Sequence, residues 1–195
     1  MKKIFVAAIM TVILGTATQA QTQRDWYIIG GDLSNIGLDF QDGNTNFSLD
    51  ITPRAAWFIR DDFAVGGEAL LGLSTGDGFT TTTYGIGPIA RYYLSGTALE
   101  SVRRTRWFLD GNVGIYGTNT KVSGQEGVST NGLGIGFGPG IAYFLNPNIA
   151  LEAVAKYNIA VGFGNSTTSN RLNFGLGFQI HLPTSRIRAI QNDVK

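Results

Sequence analysis

Leu172-Asn173-Phe174-Gly175-Leu176-Gly177-Phe178-Gln179-Ile180-His181-Leu182 is the stretch whose reading decides the fold. Every second residue is large and apolar, and the residues between are glycine, amide or histidine. Side chains alternate faces along a strand, so this segment has one oily face and one small, polar face. The same alternation recurs upstream. Leu133, Ile135, Phe137, Pro139, Ile141, Tyr143 and Leu145 oppose Gly132, Gly134, Gly136, Gly138, Gly140, Ala142 and Phe144. Phe47, Leu49, Ile51, Pro53, Ala55, Trp57 and Ile59 likewise oppose Ser48, Asp50, Thr52, Arg54, Ala56, Phe58 and Arg60. In the first strand the phase slips between Leu33 and Ile36, which predicts a bulge near Ser34-Asn35.

Extended outward, the pattern gives eight strands, over roughly 25–40, 46–59, 63–74, 79–94, 105–118, 131–145, 148–162 and 171–182, and no helix. Arg60-Asp61-Asp62 and Asn146-Pro147-Asn148 read as tight turns, and Ser95–Arg104 as a longer charged one. The alternate connections 41–45, 75–78, 119–130 and 164–170 are polar and rich in Gly, Ser, Thr and Asn. A weak repeat surrounds the turns. Pro53, Pro88 and Pro139 are each followed, after three residues, by two aromatics and an aliphatic: Trp57-Phe58-Ile59, Tyr92-Tyr93-Leu94 and Tyr143-Phe144-Leu145.

Residues 1–20 have the layout of a secretory signal peptide. Lys2 and Lys3 are followed by an apolar run from Ile4 to Leu14 and by Thr18-Gln19-Ala20 at the cleavage position. That run is shorter than the roughly 20 residues of a membrane-spanning helix. Loss of the two lysines takes the formal charge of +1 two units lower, which leaves no basic footprint for nucleic acid. With no cysteine, disulfides and thiolate chemistry are excluded. Charged residues make up 15% of the chain, against about 25% in soluble domains.

Alternation does not by itself say which face is buried. Three features favour oily side chains pointing outward. The opposite face is Gly- and Ala-rich where a solvated face carries Lys and Glu. The apolar runs are long enough for a strand crossing a membrane, which takes about 9–11 residues. Aromatics gather beside the tight turns as Trp57-Phe58, Tyr92-Tyr93, Trp107-Phe108 and Tyr143-Phe144, with Trp26-Tyr27 at the same end, as an interfacial girdle would. In hydrocarbon every backbone polar group needs a partner within the protein, so such strands must close. The expected fold is therefore all-β: an eight-stranded antiparallel up-and-down transmembrane β-barrel over residues 21–182, with a short tail over 183–195.

On these residues the chain resembles the eight-stranded outer-membrane barrels of the OmpA/OmpX type. Asn173-Phe174-Gly175-Leu176-Gly177-Phe178-Gln179-Ile180 is similar to their C-terminal assembly signal, although the tail from Pro183 to Lys195 extends past the point where many relatives stop. The resemblance implies integral outer-membrane localisation and surroundings of outer-membrane lipid and lipopolysaccharide. Insertion by the barrel-assembly machinery through the last strand, and a monomer or weak oligomer, are expected with it. Termini and tight turns would face the periplasm, and the polar loops the outside.

The inward face carries Asp50, Arg54, Glu68, Arg91, Asp110, Glu152 and Lys156, with Arg171 and His181 on the same parity. Hairpin arithmetic sets Glu68 opposite Arg54 and Asp110 opposite Arg91, and places Glu152 beside Gln179 or His181. Two readings follow. The charges form an ion path or gated pore, or they satisfy one another as a polar plug. Balanced charges in a narrow lumen favour the plug, because an unpaired buried charge costs several kcal/mol. A lipid-modifying enzyme is the weaker alternative, since His181 is the only histidine and Leu182-Pro183 follows it in place of a serine at the second position. One histidine without cysteine also argues against zinc. Gly85-Ile86-Gly87-Pro88 mimics a dinucleotide glycine pattern, but no helix follows. No cofactor is expected. The 119–130 loop, with Lys121, Gln125 and Glu126, is the candidate surface for an extracellular partner.

Overall fold

A computed structural model describes residues 22–41, 44–94, 104–163 and 168–185. The expected signal peptide, most of the tail and residues 95–103 of the charged turn lie outside the described residues. Eight strands follow in chain order: β1 (Trp26–Gln41), β2 (Asn44–Arg60), β3 (Phe63–Gly76), β4 (Phe79–Tyr93), β5 (Thr105–Val122), β6 (Val128–Asn146), β7 (Ile149–Gly162) and β8 (Thr168–Pro183). Each pairs antiparallel with its sequence neighbour, and β1 pairs with β8 to close a barrel.

The oily face is outside. Leu172, Phe174, Leu176 and Phe178 are 58%, 70%, 66% and 44% exposed, whereas Gly175, Gln179 and His181 on the alternate parity are buried. Such a belt is stable only against hydrocarbon. Two lumen-facing glycines make room for rings: a Cβ on Gly140 would run into the Phe108 ring, and one on Gly134 would stand 2.6 Å from Cδ2 of Tyr116.

Local irregularities follow the sequence repeat. The β1–β2 register shifts between Ser34 and Gly37, with Asn35 at φ 50°, so the bulge lies where the phase slip predicts it. The tight hairpins carry matching shifts at Phe58/Arg60 and Phe144/Asn146. Asp62 takes φ 62° in the first turn, and Asn146 Oδ1 accepts a hydrogen bond from the Asn148 amide in the second.

The 119–130 segment differs from its reading as a loop. β5 runs to Val122 and β6 starts at Val128, with Thr120 opposite Val128, so only Ser123–Gly127 forms the tip. Strands outside the hydrocarbon need no oily face. The Thr, Asn and Ser residues there keep β geometry through pairs such as Asn119 to Ser129 (2.5 Å) and Thr81 with Thr120 (3.0 Å) while hiding the alternation that marks a strand.

Candidate functional site

The lumen is organised in layers from the end that carries the termini. Lowest is a clasp. The Thr22 hydroxyl donates to Asp62 Oδ1 (2.5 Å), and Arg106 donates to both (2.8 Å each), which holds the N-terminal segment under the barrel. Above it lies a layer of buried rings: Phe58, Tyr93, Phe108, Phe144 and His181. Ring centroids are 5.6 Å apart for Tyr93–Phe108, 5.9 Å for Phe58–Tyr93 and 5.1 Å for Phe144–His181.

Apart from His181, the rings of this layer come from the adjacent aromatic pairs. Of each adjacent aromatic pair, strand alternation sends one ring out and the other in. Trp57, Tyr92, Trp107 and Tyr143 are exposed to the surroundings of the barrel, and Tyr27 stacks on Trp57 at 6.3 Å. Phe58, Tyr93, Phe108 and Phe144 fill the lumen. Trp26 has the parity of Ile28 and packs partly buried against that lumen cluster, so it is not a girdle residue.

A charged layer rests on the rings. The Arg91 guanidinium, 1% exposed, lies 4.0 Å from the Phe108 ring centroid. It donates to Asp110 Oδ2 through Nε (2.9 Å) and Nη2 (2.7 Å), and to Glu152 through Nη1 (2.7 and 2.8 Å). Arg54 reaches Asp110 at 3.0 Å and Glu68 at 3.3 Å, and donates to Asp32. Lys156 Nζ lies 2.8 Å from Asp110 Oδ1 and 3.5 Å from Glu68 Oε2. Asp110 is thus the hub of three cations. Arg54–Asp110, Arg91–Glu152 and Lys156–Glu68 each join strands that are not neighbours in the sheet, so the network ties the walls together across the lumen.

The structure therefore brings together Arg54, Glu68, Arg91, Asp110, Glu152 and Lys156. Arg54 stands opposite Glu68, and Arg91 opposite Asp110. Glu152 stands opposite Gly177, not Gln179 or His181. The histidine reaches Glu152 only through Tyr93, whose hydroxyl lies 3.3 Å from His181 Nε2 and donates to Glu152 Oε1 at 3.3 Å. The relay joins β4, β7 and β8 across the lumen, a proximity that local spacing does not report. Asp50 is not part of the network. It faces the chamber that opens above the network toward the loop end. Asp32 was also missed. The bulge obscures the phase of β1, although Asp32 shares the parity of Ile28 and opposes that of Ile29 and Leu33.

Above the charged layer the lumen widens into a chamber of about 270 Å³. Asp32, Arg54, Glu68 and Lys156 form its floor, and Asp50, Tyr116, Asn131 and Arg171 stand among its walls. Among the described residues no group of three or more His, Cys, Asp or Glu side chains is arranged to hold a metal ion.

A closed, lipid-faced cylinder of eight antiparallel strands defines an integral membrane barrel. Residues 5–182 match the family model described as "Outer membrane protein beta-barrel domain", and the chain belongs to that family, which places it in the bacterial outer membrane. No curated protein matches the sequence. Among solved structures, the chain is similar to Neisserial surface protein A at 17% identity and TM-score 0.52, covering 81% of this chain and 96% of that one. It is similar to the N-terminal β-barrel domain of Pseudomonas aeruginosa OprF at 14% identity and TM-score 0.48, covering 82% and 98%. It is also similar to the attachment invasion locus protein Ail of Yersinia pestis at 12% identity and TM-score 0.48, covering 80% and 96%. At these identities the likeness is one of fold.

Proposed function

We propose that this protein is a non-enzymatic, monomeric outer-membrane barrel with a structural or surface-interaction role, and that its lumen does not conduct ions. The observation that carries this reading is the double layer at the terminus end, with buried rings beneath an ionic network that joins strands across the lumen. An ion crossing it would have to part Arg91 from both Asp110 and Glu152 in a low-dielectric interior, where the separated charges have no water to replace their partners. His181 sits inside the ring layer with no exposed surface, and among the described residues no hydroxyl nucleophile bonds to it other than the Tyr93 phenol, which argues against hydrolysis of lipid.

In this reading the terminus end faces the periplasm, the β8 strand is read by the assembly machinery, and outer-membrane lipid and lipopolysaccharide surround the belt. The protruding β5–β6 hairpin is the surface offered to an extracellular partner. Planar-bilayer recording of purified protein tests the plug. The expected record is a flat baseline for the native chain and open-channel steps after Phe58→Gly with Arg91→Ser, which opens both layers. Reproducible steps from the native chain would establish the competing reading, a small-solute pore.

A further inference from the structure

The β1–β8 seam is incomplete. Its pairing runs from Trp26 opposite Pro183 to Ser34 opposite Gly175 and stops there. Beyond it, β1 continues to Gln41 paired only with β2, and β8 begins at Thr168 paired only with β7. Every other seam is paired close to its loop end, as in Phe47 opposite Thr75, Phe79 opposite Val122 and Val161 opposite Thr168. The bulge at Asn35 supplies the cause, because an extra residue bends and twists β1 away from its partner.

Two consequences follow. The break falls within the oily belt. Phe174 is the most exposed large apolar side chain among the described residues, and Ile36 and Leu172 beside the break are exposed as well. Unpaired backbone edges at this depth need a polar partner other than lipid tails. The break also joins the chamber. Ser34, Arg171, Asn173 and Gly175 line both the chamber and the groove that runs outside along Leu33, Ile36, Leu172 and Phe174.

We propose that the loop-end half of the β1–β8 seam is a lateral slot that holds a single-chain amphiphile, with its polar head in the chamber and against the unpaired backbone edges and its tail in the bilayer. The chamber volume of about 270 Å³ suits a head group, and a protein strand added to the open edges would leave that chamber unfilled. The chamber is lined by the acids Asp32, Asp50 and Glu68 and by the bases Arg54, Lys156 and Arg171, of which Asp50 and Arg171 lie outside the deeper network, so the complementary head is zwitterionic. The slot rests on the outer-membrane placement of the barrel and shares only its floor, Asp32, Arg54, Glu68 and Lys156, with the plug. The bilayer recording therefore leaves it untouched.

The test uses native protein in phosphatidylcholine nanodiscs with a trace of lysophosphatidylcholine that carries a photoactivatable tail. Cross-links are expected to be severalfold denser at Ile36, Leu172 and Phe174 than at Ile86 and Ile115, which are equally lipid-facing on the far wall. The excess is expected to fall to parity in the Asp50→Asn, Arg171→Gln double variant. Amide exchange of residues 36–41 and 168–174 is expected to be fast without lysolipid and slowed with it. Uniform cross-linking around the barrel would overturn the slot and leave only bulk lipid contact. Amides already protected in the absence of lysolipid would overturn it in favour of a zipped seam or an added strand.

Discussion

Replacing Arg91 by methionine removes the cation that two buried carboxylates share. Asp110 keeps Arg54 at 3.0 Å and Lys156 at 2.8 Å, but Glu152 keeps only the Tyr93 hydroxyl at 3.3 Å. The network holds the acids Asp32, Glu68, Asp110 and Glu152 against the bases Arg54, Arg91 and Lys156, so it already carries one excess negative charge. Arg91→Met deepens that excess, whereas Glu152→Gln removes it and leaves an amide oxygen to accept from Arg91. Breaking a buried pair by deleting one partner costs about 3–5 kcal/mol. Loss of a charge from a hydrogen bond that survives as a neutral one costs about 1 kcal/mol. The expected order is therefore Arg91→Met far less stable than Glu152→Gln, with the double variant more stable than Arg91→Met alone. Urea unfolding in phospholipid vesicles, followed by tryptophan fluorescence, measures all four corners of the cycle. An Arg91→Met cost below about 1 kcal/mol, or strict additivity in the cycle, would refute the account, because both are the signature of hydrated, uncoupled charges.

Gly140→Ala drives a methyl into the Phe108 ring, which is itself pinned by Arg91, and is expected to cost about 1–3 kcal/mol in the same assay. Gly111→Ala, whose added carbon meets nothing closer than 3.8 Å, is expected to stay within about 0.5 kcal/mol of the native chain. Asp62→Ala opens the Thr22–Asp62–Arg106 clasp. Limited trypsin digestion is expected to cleave after Arg24 several times faster than in the native protein, with the barrel core intact.

Strand number, closure and the outward face were legible because a period of two survives wherever lipid demands an oily side chain at every second position. Leu133 to Leu145 and Leu172 to Leu182 show it without interruption. Charge partners within a hairpin were legible by counting from the turn, as for Arg54 with Glu68. What stayed hidden depends on distance across the lumen. Nothing in local spacing says that Arg91 on β4 reaches Glu152 on β7, or that Asp110 gathers three cations from three strands. Adjacent aromatics such as Tyr92-Tyr93 look alike in sequence, and only parity separates a ring at the lipid surface from one in the plug. The extension of β5 and β6 escaped notice because polar strands in water carry no oily face to reveal them.

Since the chain has no native cysteine, single-cysteine labelling of residues 172–178 with a nitroxide in lipid vesicles tests the sidedness of the wall most directly. Collision with oxygen, which concentrates in hydrocarbon, is expected to peak at 172, 174, 176 and 178 and to fall at 173, 175 and 177. A profile with the opposite phase, or one with no period of two, would contradict the barrel as described.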